Sequence, residues 1–169
     1  MTAPEQFDLI IVGSGSGNSI PDDLADRKVA LVERDPVFGG TCLNRGCIPS
    51  KMFVLPADLA ADAAASARLG VDVRFHGADW VAIRDRVFGR IDAISRGGRE
   101  YRASGTAGLT LIEGTARFTG ERRLDVELPD GTVRSITAPN VLVAVGSRPV
   151  APDIPGLSES GCHTSDSIM

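Results

Sequence analysis

The chain has 169 residues, of which 43% are hydrophobic and 24% are charged, with a formal net charge of −4 at pH 7. A chain of this size and composition can bury a single core without disulfide or metal staples. The acidic balance and scattered basic residues argue against nucleic-acid binding. No apolar run reaches a membrane span and nothing resembles a signal peptide, so we expect a cytoplasmic α/β domain.

The first motif is a pair of predicted strands joined by a glycine-rich turn. Residues 7–12 form a short apolar run rich in branched side chains, which is typical of a strand buried in a parallel sheet. The turn 13–18 follows, and a second apolar run, 29–32, ends at Glu33. The segment 19–28 is polar and contains a proline, so any helix there is brief. This order predicts a dinucleotide-binding unit, against the alternative of an ordinary glycine-rich turn.

Each fingerprint residue of this unit has a predicted role. Gly13 makes the tight turn, and Gly15 lets a pyrophosphate approach the backbone. Glu33 is placed to accept hydrogen bonds from ribose hydroxyls. The third fingerprint position holds Asn18 instead of glycine, although Gly17 is adjacent.

The second motif is a pair of cysteines, Cys42 and Cys47, that follows paired glycines. In a regular helix, residues five apart lie roughly 8.5 Å apart at Cα, whereas a disulfide needs about 4.4–6.8 Å. If the two are bridged, the backbone between them must turn, and Gly46 permits that turn. Pro49 suits the first turn of a helix, whose dipole would favour a thiolate at Cys47. The pattern favours a redox-active pair.

Three other interpretations of the two cysteines stay open at this point. A structural disulfide is uncommon in the cytosol. Two buried free cysteines would be ordinary small core residues. A zinc site needs four ligands, and beyond the pair the chain offers only Cys162, His76 and His163, without metal-binding spacing. We therefore predict no metal site.

Two helices are predicted after the cysteines. Residues 50–68 are alanine-rich, and Pro56 within them predicts a kink or a break. Asp79 is a plausible N-cap for the second helix. The apolar positions after it fit one helical face and predict core packing, with burial expected also for the single tryptophan. These positions are Trp80, Ile83, Val87, Ile91 and Ile94.

From Leu109 onward the pattern changes to short strands. The predicted strands are 111–112, 116–118, 124–128 and 133–136, with Asp130-Gly131 as a hairpin turn. They predict a small antiparallel excursion from the parallel sheet. A last apolar run begins at Val141 and leads to Gly146.

Together the two motifs resemble the FAD domain of the pyridine nucleotide–disulfide oxidoreductases, a family that includes glutathione reductase, dihydrolipoamide dehydrogenase, mercuric reductase and mycothione reductase. Residues 141–149 resemble the family's second flavin-contacting motif, and 155–156 and 164–166 resemble its exit from the first FAD segment. The loop 13–20, the residues 51–54 and the stretch 87–92 with Tyr101-Arg102 are most similar to the mycothione reductase subgroup. The resemblance implies a Rossmann-like FAD-binding domain over residues 1–169, with a parallel sheet and a small antiparallel excursion.

The resemblance also implies a role for each site residue. Cys47 would be the thiol that faces the flavin, Cys42 the interchange thiol that attacks substrate, and Lys51 a positive charge near the flavin ring. The implied FAD-binding residues are Gly13, Gly15, Gly17, Asn18, Glu33, Gly40, Thr41, Lys51, Ala144, Val145 and Gly146.

Electrons would pass from NADPH to FAD, then to the cysteine pair, and then to a small disulfide, mycothiol disulfide on the subgroup resemblance. In this family the NADPH-binding and dimerisation domains follow the first FAD segment, so we expect the chain to be part of a longer, homodimeric enzyme and inactive alone. A dihydrolipoamide dehydrogenase or a mercuric reductase-like protein is the alternative within the family. A second alternative is that the chain is not an enzyme but a stand-alone module that binds FAD or exchanges thiols without reductase activity of its own.

Overall fold

The computed structural model describes residues 3–104 and 107–168. The strands are β1 (Glu5–Gln6), β2 (Leu9–Val12), β3 (Val29–Glu33), β4 (Leu109–Glu113), β5 (Thr115–Gly120), β6 (Arg123–Glu127), β7 (Val133–Thr137) and β8 (Asn140–Val143). The helices are α1 (Gly40–Asn44), α2 (Cys47–Ala65) and α3 (Trp80–Ala103).

The first sheet is parallel, with the strand order β4-β3-β2-β8. Its central strand β3 is buried from Val29 to Val32, because both faces of the sheet are covered. The predicted strand 7–12 is shorter than expected, since pairing in this sheet starts at Leu9. The α/β, Rossmann-like fold with a parallel sheet is confirmed.

The second sheet contains the predicted antiparallel excursion. Its order is β1-β7-β6-β5, in which β5, β6 and β7 are antiparallel and the short β1 lies parallel to β7. The hairpin between β6 and β7 closes at the predicted turn, where Leu128 N–H donates to the Thr132 carbonyl at 2.8 Å. One core cluster joins the two sheets and comprises Phe7, Ile10, Ala30, Val32, Ile112, Leu124, Val126, Ile136 and Ala138.

Helix α3 lies beside the first sheet and begins at the predicted cap. The Asp79 carboxylate accepts a hydrogen bond from Ala82 N–H at 3.0 Å. The buried stripe runs through Val87, Ile91 and Ser95, whereas Ile94 is 48% exposed. The stripe therefore continues through a serine that the apolar pattern did not include.

The predicted burial of Trp80 is wrong, since this side chain is 58% exposed. A helix of 24 residues is about 36 Å long, which is more than twice the length of strands of four or five residues. The buried residues of α3 begin at Val87, so its first turn, which holds Trp80 and Val81, is exposed. There Trp80 stacks on Phe53 of α2, with ring centroids 5.2 Å apart.

Helix α2 begins at Cys47, and Pro49 lies buried in its first turn as predicted. The helix continues through Pro56 to Ala65, so the expected break does not occur, and the alternative of a kink at this residue stays a prediction. A proline removes one backbone donor, and a long helix keeps its remaining hydrogen bonds on either side. No helix in the described ranges is long and apolar enough to cross a membrane.

Candidate functional site

A cavity of about 840 Å³ opens at the carboxyl ends of β2, β3 and β8. In open α/β sheets this edge is where ligands bind, and the volume falls in the range of ligand pockets. Three segments line most of it: the glycine loop, which we define as residues 13–18, the redox segment, defined as 39–47, and the turn 144–148. The two predicted motifs and the 141–149 stretch therefore meet at one site.

The glycine loop and the redox segment approach each other backbone to backbone. Gly13 has φ +108°, and a Cβ on it would lie 2.3 Å from the Ala144 carbonyl oxygen. Gly40 has φ +72°, and a Cβ there would lie 2.5 Å from Gly15 Cα. Glycine is required at both positions because both conformation and space exclude a side chain. This bare backbone fits a cofactor that brings a pyrophosphate close to peptide N–H groups.

Gly17 fills the packing role that was expected one position later. It is buried, and a Cβ on it would lie 2.8 Å from Ile11 Cγ2 and 3.0 Å from Ala144 Cβ. The loop therefore packs on the sheet through Gly17. The neighbouring Asn18 is held from outside by Arg102, whose Nε donates to its Oδ1 at 2.7 Å and whose Nη2 donates to its carbonyl at 2.9 Å.

Glu33 ends β3 beside the cavity and already accepts two backbone hydrogen bonds. Ser14 N–H donates to its Oε2 and Asp35 N–H to its Oε1, both at 2.8 Å. An ionised carboxylate has about four acceptor sites, so capacity remains for ribose hydroxyls. Ser14 is fully buried, and its hydroxyl accepts from Gly39 N–H at 2.9 Å, which links the loop to the redox segment.

The redox segment turns between two helices, as the cysteine spacing predicted. Helix α1 ends at Asn44, and α2 starts at Cys47. At Gly46 a Cβ would lie 2.9 Å from the Thr41 carbonyl oxygen, so the tight turn needs glycine. Cys42 therefore lies on one helix and Cys47 at the start of the next.

The structure describes Cys42 and Cys47 as exposed free thiols, so their disulfide stays a prediction. Hydrogen bonding to the Cys47 thiol is the main cause that raises the pKa of Cys42, while the positive charge of Lys51 acts in the opposite direction. Cys42 therefore keeps its proton to higher pH than an ordinary cysteine. The alternative that both cysteines are buried core residues is wrong.

Asn44 ties the redox segment to the rest of the domain. Its Nδ2 donates to the Phe38 and Gly40 carbonyls, each at 3.0 Å, and Ser95 Oγ of α3 donates to the same Phe38 carbonyl at 2.7 Å. Asn44 lines the cavity and is only 8% exposed. Sequence reasoning missed the roles of Asn44, Ser14 and Arg102, because each side chain bonds a group that the local pattern does not indicate, at separations from 4 to 84 residues.

The structure places nine of the predicted site residues in the cavity wall and four outside it. In the wall are Gly13, Gly15, Glu33, Gly40, Thr41, Cys42, Ala144, Val145 and Gly146. Outside the described wall are Gly17, Asn18, Cys47 and Lys51. Lys51 is exposed on α2, one turn after Cys47. Arg148, within the 141–149 stretch, also lines the cavity, and Arg34 and Arg45 line it without having been predicted.

Fold and site together define a dinucleotide-binding domain that carries a dithiol. Residues 7–169 match the family described as pyridine nucleotide-disulphide oxidoreductase. The chain belongs to this family, whose members are FAD-dependent and use NAD(P)H as electron donor.

Individual relatives agree with this assignment. The chain is 40% identical to mycothione reductase of Mycobacterium tuberculosis (strain ATCC 25618 / H37Rv), over 98% of this chain and 36% of that protein. It is 34% identical to mercuric reductase of Streptomyces lividans, over 96% of this chain and 35% of that protein. The chain therefore spans about a third of the length of the curated relatives it matches.

A solved structure has the same fold. It is the Cu(II) complex of the HOCl-induced flavoprotein disulfide reductase RclA from Escherichia coli, with a TM-score of 0.70 and 25% identity. The match covers 91% of this chain and 31% of that one.

Proposed function

We propose that this chain is the FAD-binding part of a disulfide reductase in which Cys42 and Cys47 form the redox-active pair. One observation carries the proposal: the Cys42 thiol lies in the wall of the same cavity as the glycine loop. A dinucleotide seated on the loop and a disulfide substrate at Cys42 would thus share one space.

The residues of the cavity would hold FAD in three places. Gly13 would make the tight turn, backbone N–H groups around Gly15 and Gly40 would face the pyrophosphate, and Glu33 would bind the adenosine ribose. The turn from Ala144 to Gly146 would make the second contact. FAD, when bound, supplies a two-electron store between the nicotinamide nucleotide and the dithiol.

The dithiol would act by thiol–disulfide exchange. Cys42, once deprotonated, attacks one sulfur of the substrate disulfide, forms a mixed disulfide and releases one thiol. Cys47, as a thiolate at the start of α2, then attacks the Cys42 sulfur, which releases the second thiol and closes the Cys42–Cys47 disulfide. The two thiols lose two electrons and two protons, and the substrate gains them.

Lys51 would support this chemistry from the next turn of α2. Its charge already lowers the pKa of Cys42 against the larger effect of Cys47. An ammonium group at this position would favour negative charge on either sulfur and near the flavin ring.

NADPH is the proposed electron donor and mycothiol disulfide the proposed substrate, since the identity to mycothione reductase, 40%, exceeds the 34% to mercuric reductase. We place the NADPH site and the dimer contacts of a complete reductase in the two thirds of those relatives that this chain does not match. A cytoplasmic location stays a prediction.

The first test is flavin retention. The purified chain is incubated with FAD, passed through gel filtration, and its visible absorption spectrum is recorded before and after one equivalent of dithionite. We expect retained flavin and a long-wavelength band after reduction, and the Cys47→Ser variant should keep the flavin but lose the band. A chain that emerges without flavin contradicts the assignment of these residues as a sufficient FAD site.

Substrate choice is tested with the dithiol alone. The chain is reduced, desalted and mixed with mycothiol disulfide, lipoamide or glutathione disulfide, and the loss of two thiols per chain is followed in time. We expect mycothiol disulfide to react fastest. A faster reaction with lipoamide would instead favour the dihydrolipoamide dehydrogenase alternative.

A further inference from the structure

The end of the glycine loop is hydrogen-bonded to Arg102, which lies 84 residues after Asn18. Arg102, on the last turn of α3, uses Nε to bind Asn18 Oδ1 at 2.7 Å and Nη2 to bind the Asn18 carbonyl at 2.9 Å. Both hydrogen bonds are part-buried. This contact joins the end of the third helix to the end of the loop.

The loop has little secondary structure of its own to hold it. The helix that usually follows a dinucleotide-binding turn and faces the pyrophosphate is replaced by two 3-10 turns, Ser16–Asn18 and Asp22–Leu24. Glycines at 13, 15 and 17 give the free backbone a large conformational entropy to lose. A loop of this composition needs support from outside.

The guanidinium geometry suits this support. A planar fork can donate two hydrogen bonds in a fixed arrangement, and charge-assisted bonds are stronger than neutral ones. Here the fork holds a side-chain oxygen and a carbonyl of one residue, so it fixes both the position and the orientation of Asn18. The guanidinium also lies 5.2 Å from the Tyr101 ring centroid, which restricts its own freedom.

We propose that Arg102 is a positioning residue of the FAD site, which sets FAD affinity by holding Asn18 and hence the glycine loop. The proposal rests on the proposed function, because it concerns the same FAD site. Arg102 acts through Asn18 and does not itself touch the cofactor. Gly17 fixes the loop against the sheet, and Arg102 fixes it from the side of α3.

The test compares FAD dissociation constants of the chain and its variants by quenching of flavin fluorescence. Arg102→Gln removes the charge and the fork, and Arg102→Lys keeps the charge but not the fork. Both should weaken FAD binding by about 10- to 100-fold, the range for losing charge-assisted hydrogen bonds. Arg99→Gln is the matched control, because Arg99 lies on the same helix and binds Glu113 instead.

A double-mutant cycle shows whether Arg102 acts through Asn18. Asn18→Ala removes only the bond to Oδ1 and leaves the bond to the Asn18 carbonyl, so the double variant Asn18→Ala with Arg102→Gln should weaken FAD binding by no more than Arg102→Gln alone. Two outcomes would overturn the proposed positioning role. In one, the fold-change in the FAD dissociation constant of the double variant equals the product of the two single fold-changes; in the other, Arg102→Lys binds FAD with wild-type affinity.

Amide hydrogen exchange without FAD separates this proposal from the FAD assignment. We expect Arg102→Lys to speed exchange at residues 14–20 while the amides of β2 and β3 keep their protection. If the wild-type chain binds no FAD, these residues are not a sufficient FAD site, yet the exchange data still decide whether Arg102 holds the loop. Unchanged exchange in the loop, with or without FAD binding, overturns the proposal.

Discussion

The glycine loop and the redox segment border the same cavity, but they are held by different forces. The loop is fixed by close backbone contacts, such as that of Gly13 with Ala144, and by the Arg102 fork. The two thiols at Cys42 and Cys47 are exposed, although Asn44 anchors the backbone between them. A site that binds a cofactor needs a rigid wall, whereas a thiol that exchanges with substrate must be reachable.

We therefore expect substitutions in the glycine loop to affect the stability of the fold, and substitutions at the two thiols to affect their reactivity. Changes in the loop should disturb the fold because backbone atoms have no room to move. Changes at the thiols should alter reactivity and leave the free energy of unfolding almost unchanged, because exposed side chains contribute little to it. The following predictions test that separation.

The largest effect is expected from Cys42→Ser, which should abolish reversible oxidation completely. Without Cys42 the pair cannot close a disulfide, so mild oxidation with diamide should no longer remove two thiols per chain. Counting free thiols before and after oxidation measures this. Cys162→Ser is the matched control and should leave the two-thiol loss intact, while its failure to do so would place the redox pair elsewhere.

The second effect is on stability. Gly13→Ala would put a Cβ 2.3 Å from the Ala144 carbonyl oxygen at φ +108°, and should lower the free energy of unfolding by about 2–4 kcal/mol. Urea denaturation measures this. Gly89→Ala, on α3 with open space around it, should instead stabilise the chain by about 0.5–1 kcal/mol. Equal effects of the two variants would contradict the steric account of the loop.

The third effect is a shift in the pH dependence of Cys42 reactivity. Since Cys47 raises the pKa of Cys42, alkylation of Cys42 by iodoacetamide should accelerate at higher pH than for an ordinary cysteine. The free energy that this shift contributes to folding is present below the unfolded pKa and is lost as pH rises through the folded pKa.

Replacing the partner thiol checks the cause of this shift. Cys47→Ala should move the rise in Cys42 alkylation to lower pH, because the hydrogen bond that most raises the pKa of Cys42 is gone while the charge of Lys51, which lowers it, remains. Mass spectrometry after timed alkylation assigns the modified cysteine. If the alkylation rate of Cys42 rises at the same pH in both proteins, Cys47 does not control the pKa of Cys42.

The smallest effect is expected at Trp80. Its ring is 58% exposed and stacks on Phe53, so Trp80→Ala should cost about 1 kcal/mol, the value of an aromatic pair. Ile91→Ala, in the buried stripe of the same helix, should cost about 2–5 kcal/mol. Thermal or urea unfolding measures both, and a cost for Trp80→Ala as large as for Ile91→Ala would restore the core role first predicted for the tryptophan.

The extent of correct sequence-based prediction differs between these regions for a physical reason. The strands, the hairpin at 130–131, the Asp79 cap and the turn at Gly46 depend on local patterns, and the structure contains them. The helix does not break at Pro56 and Trp80 is not buried, because tertiary packing decides whether a helix tolerates a proline and which of its turns are covered. The glycine that packs on the sheet lies at 17 and not at the third fingerprint position, 18, since a Cβ at Gly17 would lie 2.8 Å from Ile11 Cγ2.

The sequence alone determined the fold class and the family, and it predicts which residues carry redox chemistry, since these follow from periodicity and from short motifs with fixed spacing. Only the tertiary structure decided that Asn44 anchors Phe38, that Ser14 links the loop to Gly39, and that Arg102 holds Asn18. These contacts join residues up to 84 positions apart, and local patterns contain no information about which distant backbone group a polar side chain will reach.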